Sequence, residues 1–321
     1  MNLSIRPFTP HDYPAIAHVR STVWPDNPVL PQTLRNQDER MKPGLVLRRL
    51  VAENNGRVVG YANFSHMEWM YHPQKFWTNL LVHPEHQRQG IGSALYEHLM
   101  NELRAFDPIK LSASTREDKS QALRFMQKHG FKEEFRAWES RLDLAGFEPE
   151  KWAGHIQKVL RDGYEIKSLA ELEGDPQRER EMYALDLECS RDVPLPPGEA
   201  FTFPDLERYW QNARANTNFR PEMWFLAVKD GEYAGVSQLF ARPADHDLNT
   251  GFTAVKPTHR RHGVALALKL TALEYAKGQG KTAVRTENAQ VNRPMLSINE
   301  RLGFEKLPAW IDFAKVLKGE A

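Results

Sequence analysis

Apolar and polar residues alternate over residues 3–8, 45–53 and 58–66, the period of a half-buried strand, and the turn Asn54-Asn55-Gly56 joins the last two as a hairpin. Residues 10–20 read as a helix between them, and 77–83 as a further strand. From Gly90 the period changes. Ile91, Ala94, Leu95, Leu99 and Leu103 recur three and four apart, the buried stripe of an amphipathic helix. A strand at 109–114, a helix at 119–129 stopped by Gly130 and a strand at 139–144 complete the series. The series then starts again, with strand 164–169, a hairpin around Asp230-Gly231, strand 251–255, a helix from Val264, strand 282–286, a helix to Arg301 and a closing strand at 311–316.

The recurrence extends to residue identity. At an offset of 173, residues 82–95 match 255–268 at seven of fourteen positions, where chance predicts about one. The same offset carries Leu123 onto Leu296, Gly130 onto Gly303 and Phe131 onto Phe304, and an offset of 175 carries Gly56 and Gly60 onto Gly231 and Gly235. A two-residue slip is what a loop insertion between strands produces. The expected architecture is therefore α/β, two tandem copies of one domain at 1–146 and 147–321, with the boundary in a connecting segment at 147–162 that is helical around 152–160.

Composition agrees with a folded chain of that size: 321 residues, 41% hydrophobic, 43 basic against 42 acidic. Near-neutrality gives no electrostatic case for nucleic acid or an anionic membrane surface. Cys189, the single cysteine, rules out an internal disulfide framework and fits a reducing compartment, so the cytoplasm is the expected location. No run of about 18 apolar residues suggests a membrane span, and the first residues carry no signal-peptide core.

The chemistry concentrates at the glycines. After the strand ending at Val82 come Gln87-Arg88-Gln89-Gly90-Ile91-Gly92, opening into a helix, and Arg260-Arg261-His262-Gly263-Val264-Ala265 stand in the same place in the second copy. Small residues there let backbone approach a ligand, and the free amides of a helix start face an anion, for which a diphosphate is the natural guest. A dinucleotide fingerprint would need a small residue at Leu95, and no Gly-Lys-Ser/Thr triplet exists. His83-Pro84-Glu85-His86 and His259-Arg260-Arg261-His262 do not follow His-Glu-x-x-His, so no metal site is expected.

Both copies resemble the GNAT acetyltransferase superfamily, whose hallmark is Arg/Gln-x-x-Gly-x-Gly/Ala between a strand and a helix. The resemblance covers essentially the whole chain and implies a three-layer fold in each copy, a central, mostly antiparallel sheet flanked by helices. It implies acetyl-CoA as cosubstrate, its diphosphate on loop residues Gln87 to Gly92 with Ser93, and Arg260 to Ala265, with Arg88, Arg260 and Arg261 touching phosphate. The preceding strands, at Leu81, Val82, Ala254 and Val255, would carry main-chain contacts to the pantetheine arm and thioester. The family's later Asn-x-x-Ala segment appears as Lys119-Ser120-Gln121-Ala122 and as Asn292-Arg293-Pro294-Met295, making Asn292 a further cofactor contact.

Departures from the family pattern bear on mechanism. The tyrosine that often protonates the leaving thiolate is replaced by Met126 in the first copy and Asn299 in the second. Methionine donates no proton, and asparagine offers a hydrogen bond without useful acidity. The second copy, with Asn292, Asn288 and Asn299, is the better candidate for chemistry. Glu287, at the end of strand 282–286, is the candidate base for the incoming amine, with Glu68 a second possibility; a solvated carboxylate is the bland reading of each. Aromatic residues upstream of each motif, among them Trp69, Tyr71, Phe201, Tyr209 and Trp224, and the loop 192–198 are expected near the acceptor, though core packing accounts for most such aromatics. The expected function is transfer of an acetyl group to a primary amine of a small molecule by direct attack in a ternary complex, by a monomer or homodimer that uses neither metal nor nucleic acid. The rival readings are a non-catalytic acyl-CoA binding or sensing protein and an interaction protein whose sites have decayed.

Overall fold

The computed structural model describes residues 3–242 and 245–318. Its contacts gather the chain into two compact units: residues 1–135 with 196–202 and 311–321, and residues 136–195 with 203–310.

In the first unit β1 (Leu3–Pro7), α1 (Tyr13–Val23), α2 (Pro31–Glu39), β2 (Leu47–Asn54), β3 (Arg57–Ser65), β4 (Lys75–Val82), α3 (Ile91–Leu103), β5 (Lys110–Arg116) and α4 (Ser120–Lys128) follow in order, and β6 (Lys132–Asp143) begins there. Strands β1 to β4 pair antiparallel in sequence, and β5 joins β4 in parallel. Alternation along β2 decides the layers. Leu50 and Ala52 join the core under α3, with Ile91, Leu95 and Leu99, whereas Val51 joins Ile16, Val19 and Leu34 under α1 and α2. Helix α2 escapes the sequence pattern because Leu34 is its one buried residue.

The second unit holds the rest of β6, then α5 (Ala153–Arg161), β7 (Glu165–Ser168), α6 (Arg178–Ser190), α7 (Leu206–Ala215), β8 (Trp224–Lys229), β9 (Glu232–Ala241), β10 (Leu248–Val255), α8 (Val264–Gly278), β11 (Ala283–Ala289), α9 (Arg293–Leu302) and β12 (Glu305–Lys306). Its strand order is β6-β11-β10-β9-β8-β7, antiparallel except for β10 with β11. Phe225 and Ala227 pack toward α8, while Trp224 and Leu226 pack toward α6 and α7. The matched glycines of the two hairpins have one physical cause: a Cβ on Gly60 would lie 2.9 Å from the Leu81 carbonyl oxygen, and one on Gly235 2.9 Å from that of Ala254. No other residue lets those strands close.

The compact units do not follow the two sequence copies. Strand β13 (Trp310–Val316), which closes the second copy in the sequence, delivers residues 311–316 to the first unit beside β5, and residues 137–143 of β6, from the first copy, pair with β11 in the second unit. Residues 196–202 also belong to the first unit, where Lys110 Nζ donates to Glu199 at 2.8 Å and Lys75 Nζ to the Gly198 carbonyl at 2.9 Å.

One core position works against stability. Lys269 in α8 is buried, its Nζ 5.3 Å from the Phe304 ring centroid, and burial pulls its pKa down from 10.5 to about 8. The folded chain then binds fewer protons than the unfolded chain between those two values, so the cost is full below about pH 8 and fades as pH rises from there to 10.5. Lys269→Met should stabilise the second unit by roughly 2–3 kcal/mol at pH 7, a gain that shrinks toward pH 11. Urea unfolding of both proteins across that range measures it.

Candidate functional site

Each glycine motif forms the same turn. Gly90 and Gly263, the residues before α3 and α8, have φ of +85° and +83°, and two positions earlier Arg88 and Arg261 are also left-handed, at +64° and +69°. A left-handed arginine is uncommon, and its recurrence at matched positions marks a constrained loop. A left-handed glycine followed by the right-handed first turn of a helix directs successive amides to one side, the geometry of an anion nest, at the positive end of a helix dipole. The side chain that opens each loop ties it to its strand: Gln87 Nε2 donates to Val82 O and Arg260 Nε to Val255 O, both at 2.9 Å. Arg260 also pairs with Asp192, so its guanidinium is engaged within the protein, whereas Arg88 and Arg261 are exposed. Gln89 Nε2 donates to Glu85 O, His262 is exposed, and Ile91 and Val264 are buried anchors of their helices. A Cβ added at Gly92 would meet only ordinary contacts, the nearest at 3.6 Å, which explains why Ala265 serves in its place.

Above each loop the sheet opens. Strand β4 pairs with β5 from Lys75 to Thr78 and then parts from it, leaving Asn79 to Val82, with Leu81, along the gap. Strand β10 pairs with β11 at Leu248 and Asn249 alone. Parallel strands that diverge next to a helix N-terminus leave backbone amides and carbonyls free to bind an extended ligand. The two units differ here. Pairing of β3 with β4 is regular from Gly60↔Val82 to Ser65↔Trp77, but that of β9 with β10 shifts register between Thr250 and Thr253, a bulge containing Gly251 and Phe252. A Cβ on Gly251 would stand 2.2 Å from Phe240 Cε2, so any larger residue there would have to displace that ring.

The remaining candidates fall around this gap in different ways. Asn292 is the N-cap of α9, its Oδ1 accepting from Met295 N at 3.3 Å; Lys119, its counterpart before α4, makes no such cap and lies 5.0 Å from the Trp24 ring centroid. Asn299 is buried, and its Nδ2 donates to Asn288 Oδ1 at 2.6 Å while its own Oδ1 has no partner. Glu287 is exposed on β11 opposite Glu139 of β6. Glu68 sits in the short helical turn Glu68–Met70. Of the aromatics, Trp210 and Trp224 are core, while Trp69 and Tyr71 are exposed in the first unit, Trp69 near Phe201. Among the described residues His83, Glu85 and His86 place ligand atoms within 4.8 Å of one another, the one grouping with the makings of a cation site.

A buried acid escapes the sequence pattern. Asp186, on α6, accepts from Tyr209 OH of α7 and from Gln238 Nε2 of β9, the latter at 3.0 Å, both on Oδ2. Its Oδ1 is buried without a partner. Desolvation outweighs the two hydrogen bonds and pushes the carboxyl up to about 7. An isolated aspartate in a helical run offers no sequence signal; Gln238, opposite the Gly251 bulge, supplies it only once register is known.

Comparison with known proteins bears on this geometry. The sequence pattern of the Acetyltransferase (GNAT) family matches residues 13–131 and 180–304. A mycothiol acetyltransferase of Parafrankia sp. (strain EAN1pec) is 23% identical over 299 residues, 87% of each chain. Among solved structures, a tandem GNAT protein from the clavulanic acid biosynthesis pathway superposes over 100% of both chains with a TM-score of 0.77 at 20% identity. A GCN5-related N-acetyltransferase from Sphaerobacter thermophilus does so over 99% of this chain and 97% of its own, with a TM-score of 0.72 at 18% identity. No helix among the described residues is long and apolar enough to cross a membrane.

Proposed function

The chain belongs to the acetyltransferase (GNAT) family and is an N-acetyltransferase of two tandem domains, and on that premise we propose that it moves the acetyl group of acetyl-CoA to a primary amine of a small molecule, by direct attack in a ternary complex, with the second unit as the seat of the chemistry. The observation that carries the assignment is the Gly251-Phe252 bulge in β10, where that strand leaves β11; β4 keeps regular pairing through the equivalent stretch. A bulge frees amides from the ladder at the place where a thioester carbonyl would lie, and donors aimed there stabilise the oxyanion of the tetrahedral intermediate. The acceptor nitrogen attacks that carbonyl, a C–N bond forms, the C–S bond breaks, and the nitrogen passes its proton to a water chain as the thiolate leaves. Positioning supplies most of the rate, and a thiolate departs without an acid, which accommodates Asn299 and its partner Asn288. The diphosphate is assigned to the Arg261 to Ala265 turn and, in the first unit, to the Arg88 to Gly92 turn.

A small-molecule acceptor is supported by the relative named for mycothiol. For the first unit Met126, packed into its core edge, favours a second reading: acyl-CoA binding without turnover. Calorimetric titration with acetyl-CoA tests the donor assignment. Saturable binding at one or two sites per chain is expected, and the absence of binding at millimolar ligand would overturn both readings.

A further inference from the structure

The gap beside the bulge has two sides: the glycine turn and α8 lie on one face of the sheet, and the Asp186, Tyr209 and Gln238 cluster lies on the other, under α6 and α7. Register places Gln238 directly against the bulge, since Ser237 pairs with Thr253 and Leu239 with Thr250. A Cβ on Gly251 would stand 3.4 Å from Gln238 Oε1. A carboxylate only accepts, so the amide end that meets Asp186 Oδ2 is the NH2 group, and the carbonyl oxygen is left turned toward Gly251.

We propose that Gln238 Oε1 receives an N–H of the acceptor amine at the bulge, and that Asp186 is the positioning residue that holds the Gln238 amide in the orientation this requires. The inference rests on the second unit being the seat of acetyl transfer and names the group that selects a primary amine there. One N–H of the attacking nitrogen donates to Oε1, which aims its lone pair at the carbonyl held by the bulge amides. The buried negative charge of Asp186 favours entry of the amine over a neutral alcohol, because a primary amine arrives as the ammonium ion, which gives a proton to water before its nitrogen attacks.

The arrangement also carries a pH dependence. Protonated, Asp186 becomes a donor, and the Gln238 amide is then free to turn its oxygen toward the acid and its NH2 toward the bulge, repelling the amine N–H. The titratable groups beside Asp186 are Tyr209, held well above its ordinary value mainly by burial, and the Cys189 thiol one turn along α6, pushed up to about 12 by burial first and by Asp186 and Glu188 after it. Both keep their protons from pH 5 to 9, and the Asp186 carboxyl, near 7, is the group that changes.

The test needs no natural acceptor. In the 15N-labelled full chain the side-chain amide of Gln238 is assigned by its loss in Gln238→Leu and followed by NMR against pH, and then, with CoA bound, against 2-phenylethylamine and against 2-phenylethanol. The expected results are a titration midpoint near pH 7 that Asp186→Asn abolishes, a saturable shift with the amine and none with the alcohol, and amine affinity at least tenfold weaker in Asp186→Asn with acetyl-CoA affinity within twofold of the parent. A Gln238 resonance unmoved by 50 mM amine, moved equally by the alcohol, or titrating unchanged in Asp186→Asn would overturn the proposal. Tyr209→Phe guards against a folding defect in that variant: removing one donor to the carboxylate should raise the midpoint, and an unchanged midpoint counts against the proposal. Failure of acetyl-CoA to bind would overturn the acetyltransfer reading separately, because the pH titration of Gln238 is read without cofactor.

Discussion

Gly263→Val should lower acetyl-CoA-dependent thiol release by two orders of magnitude or more, while Gly90→Val should leave it within about threefold. Both glycines have left-handed backbone, at φ +83° and +85°, and neither is crowded by backbone, so conformation and not space is what valine violates. A β-branched residue there costs about 1–3 kcal/mol, and the loop relieves that strain by turning its amides away from the anion site. Each hydrogen bond lost to a charged diphosphate costs a further 1.5–3 kcal/mol or so, and about 3–4 kcal/mol in all is two to three orders of magnitude. Each substitution should also remove its own unit's acetyl-CoA from the calorimetric stoichiometry. The assay pairs thiol release from acetyl-CoA with a panel of primary amines. Equal loss in both variants, or loss in Gly90→Val alone, would reverse the assignment of chemistry to the second unit.

The largest effect on stability is expected at Asp247, which pins the closed end of the same gap. Its buried carboxylate accepts from Thr282 Oγ1 at 2.7 Å, Arg285 Nε at 2.9 Å and Arg141 Nε at 3.3 Å, just before Leu248 and Asn249 make the last β10 to β11 pairs. Arg285 is itself shared with Glu139 at 3.1 Å. Replacement by asparagine leaves two partly buried guanidinium groups short of charge, and Asp247→Asn should cost about 3–4 kcal/mol at pH 7. Burial alone would raise the Asp247 pKa, but the bonds from Arg285, Thr282 and Arg141 together outweigh it and lower the carboxyl from 3.8 to about 2. The unfolded chain therefore binds the extra proton between those values. The stabilisation is complete above pH 4, and roughly 2 kcal/mol of it is lost as pH falls to 2. Urea unfolding of parent and variant at pH 7 and along an acid series should show the difference between them narrowing below pH 4. A difference under 1 kcal/mol at pH 7 would mean that the pair of arginines finds other partners.

The two glycine turns are legible in the sequence because they rest on local chemistry. A strand, two left-handed positions and a helix start are set by residues within ten of one another, and only glycine fits Gly90 and Gly263 without strain. Gly60 and Gly235 are legible as a repeat but not as close approaches, since the carbonyls they must clear belong to the neighbouring strands β4 and β10. Arg260 is a phosphate contact by resemblance, and the structure has it holding Val255 O and paired with Asp192, a loop 68 positions away. Helix α2 is not legible at all, because one buried leucine makes no period.

Period and identity along the chain determine that this protein is α/β, that it is built from two copies of one domain, and where each copy opens a helix on a glycine turn. These properties depend on neighbours in sequence, where backbone preference and side-chain spacing act directly. Tertiary structure alone decides that β13 closes the first unit and that most of β6 serves the second, because alternating strands of two similar copies satisfy either sheet edge equally well and only packing chooses between them. It alone decides that β10 is bulged where β4 is regular, and that an ordinary-looking aspartate on α6 is buried against Gln238, the residue opposite that bulge. Such features arise where α6, α7 and β9 meet, segments spread over more than fifty residues, and their energy comes from a desolvation that no single segment contains.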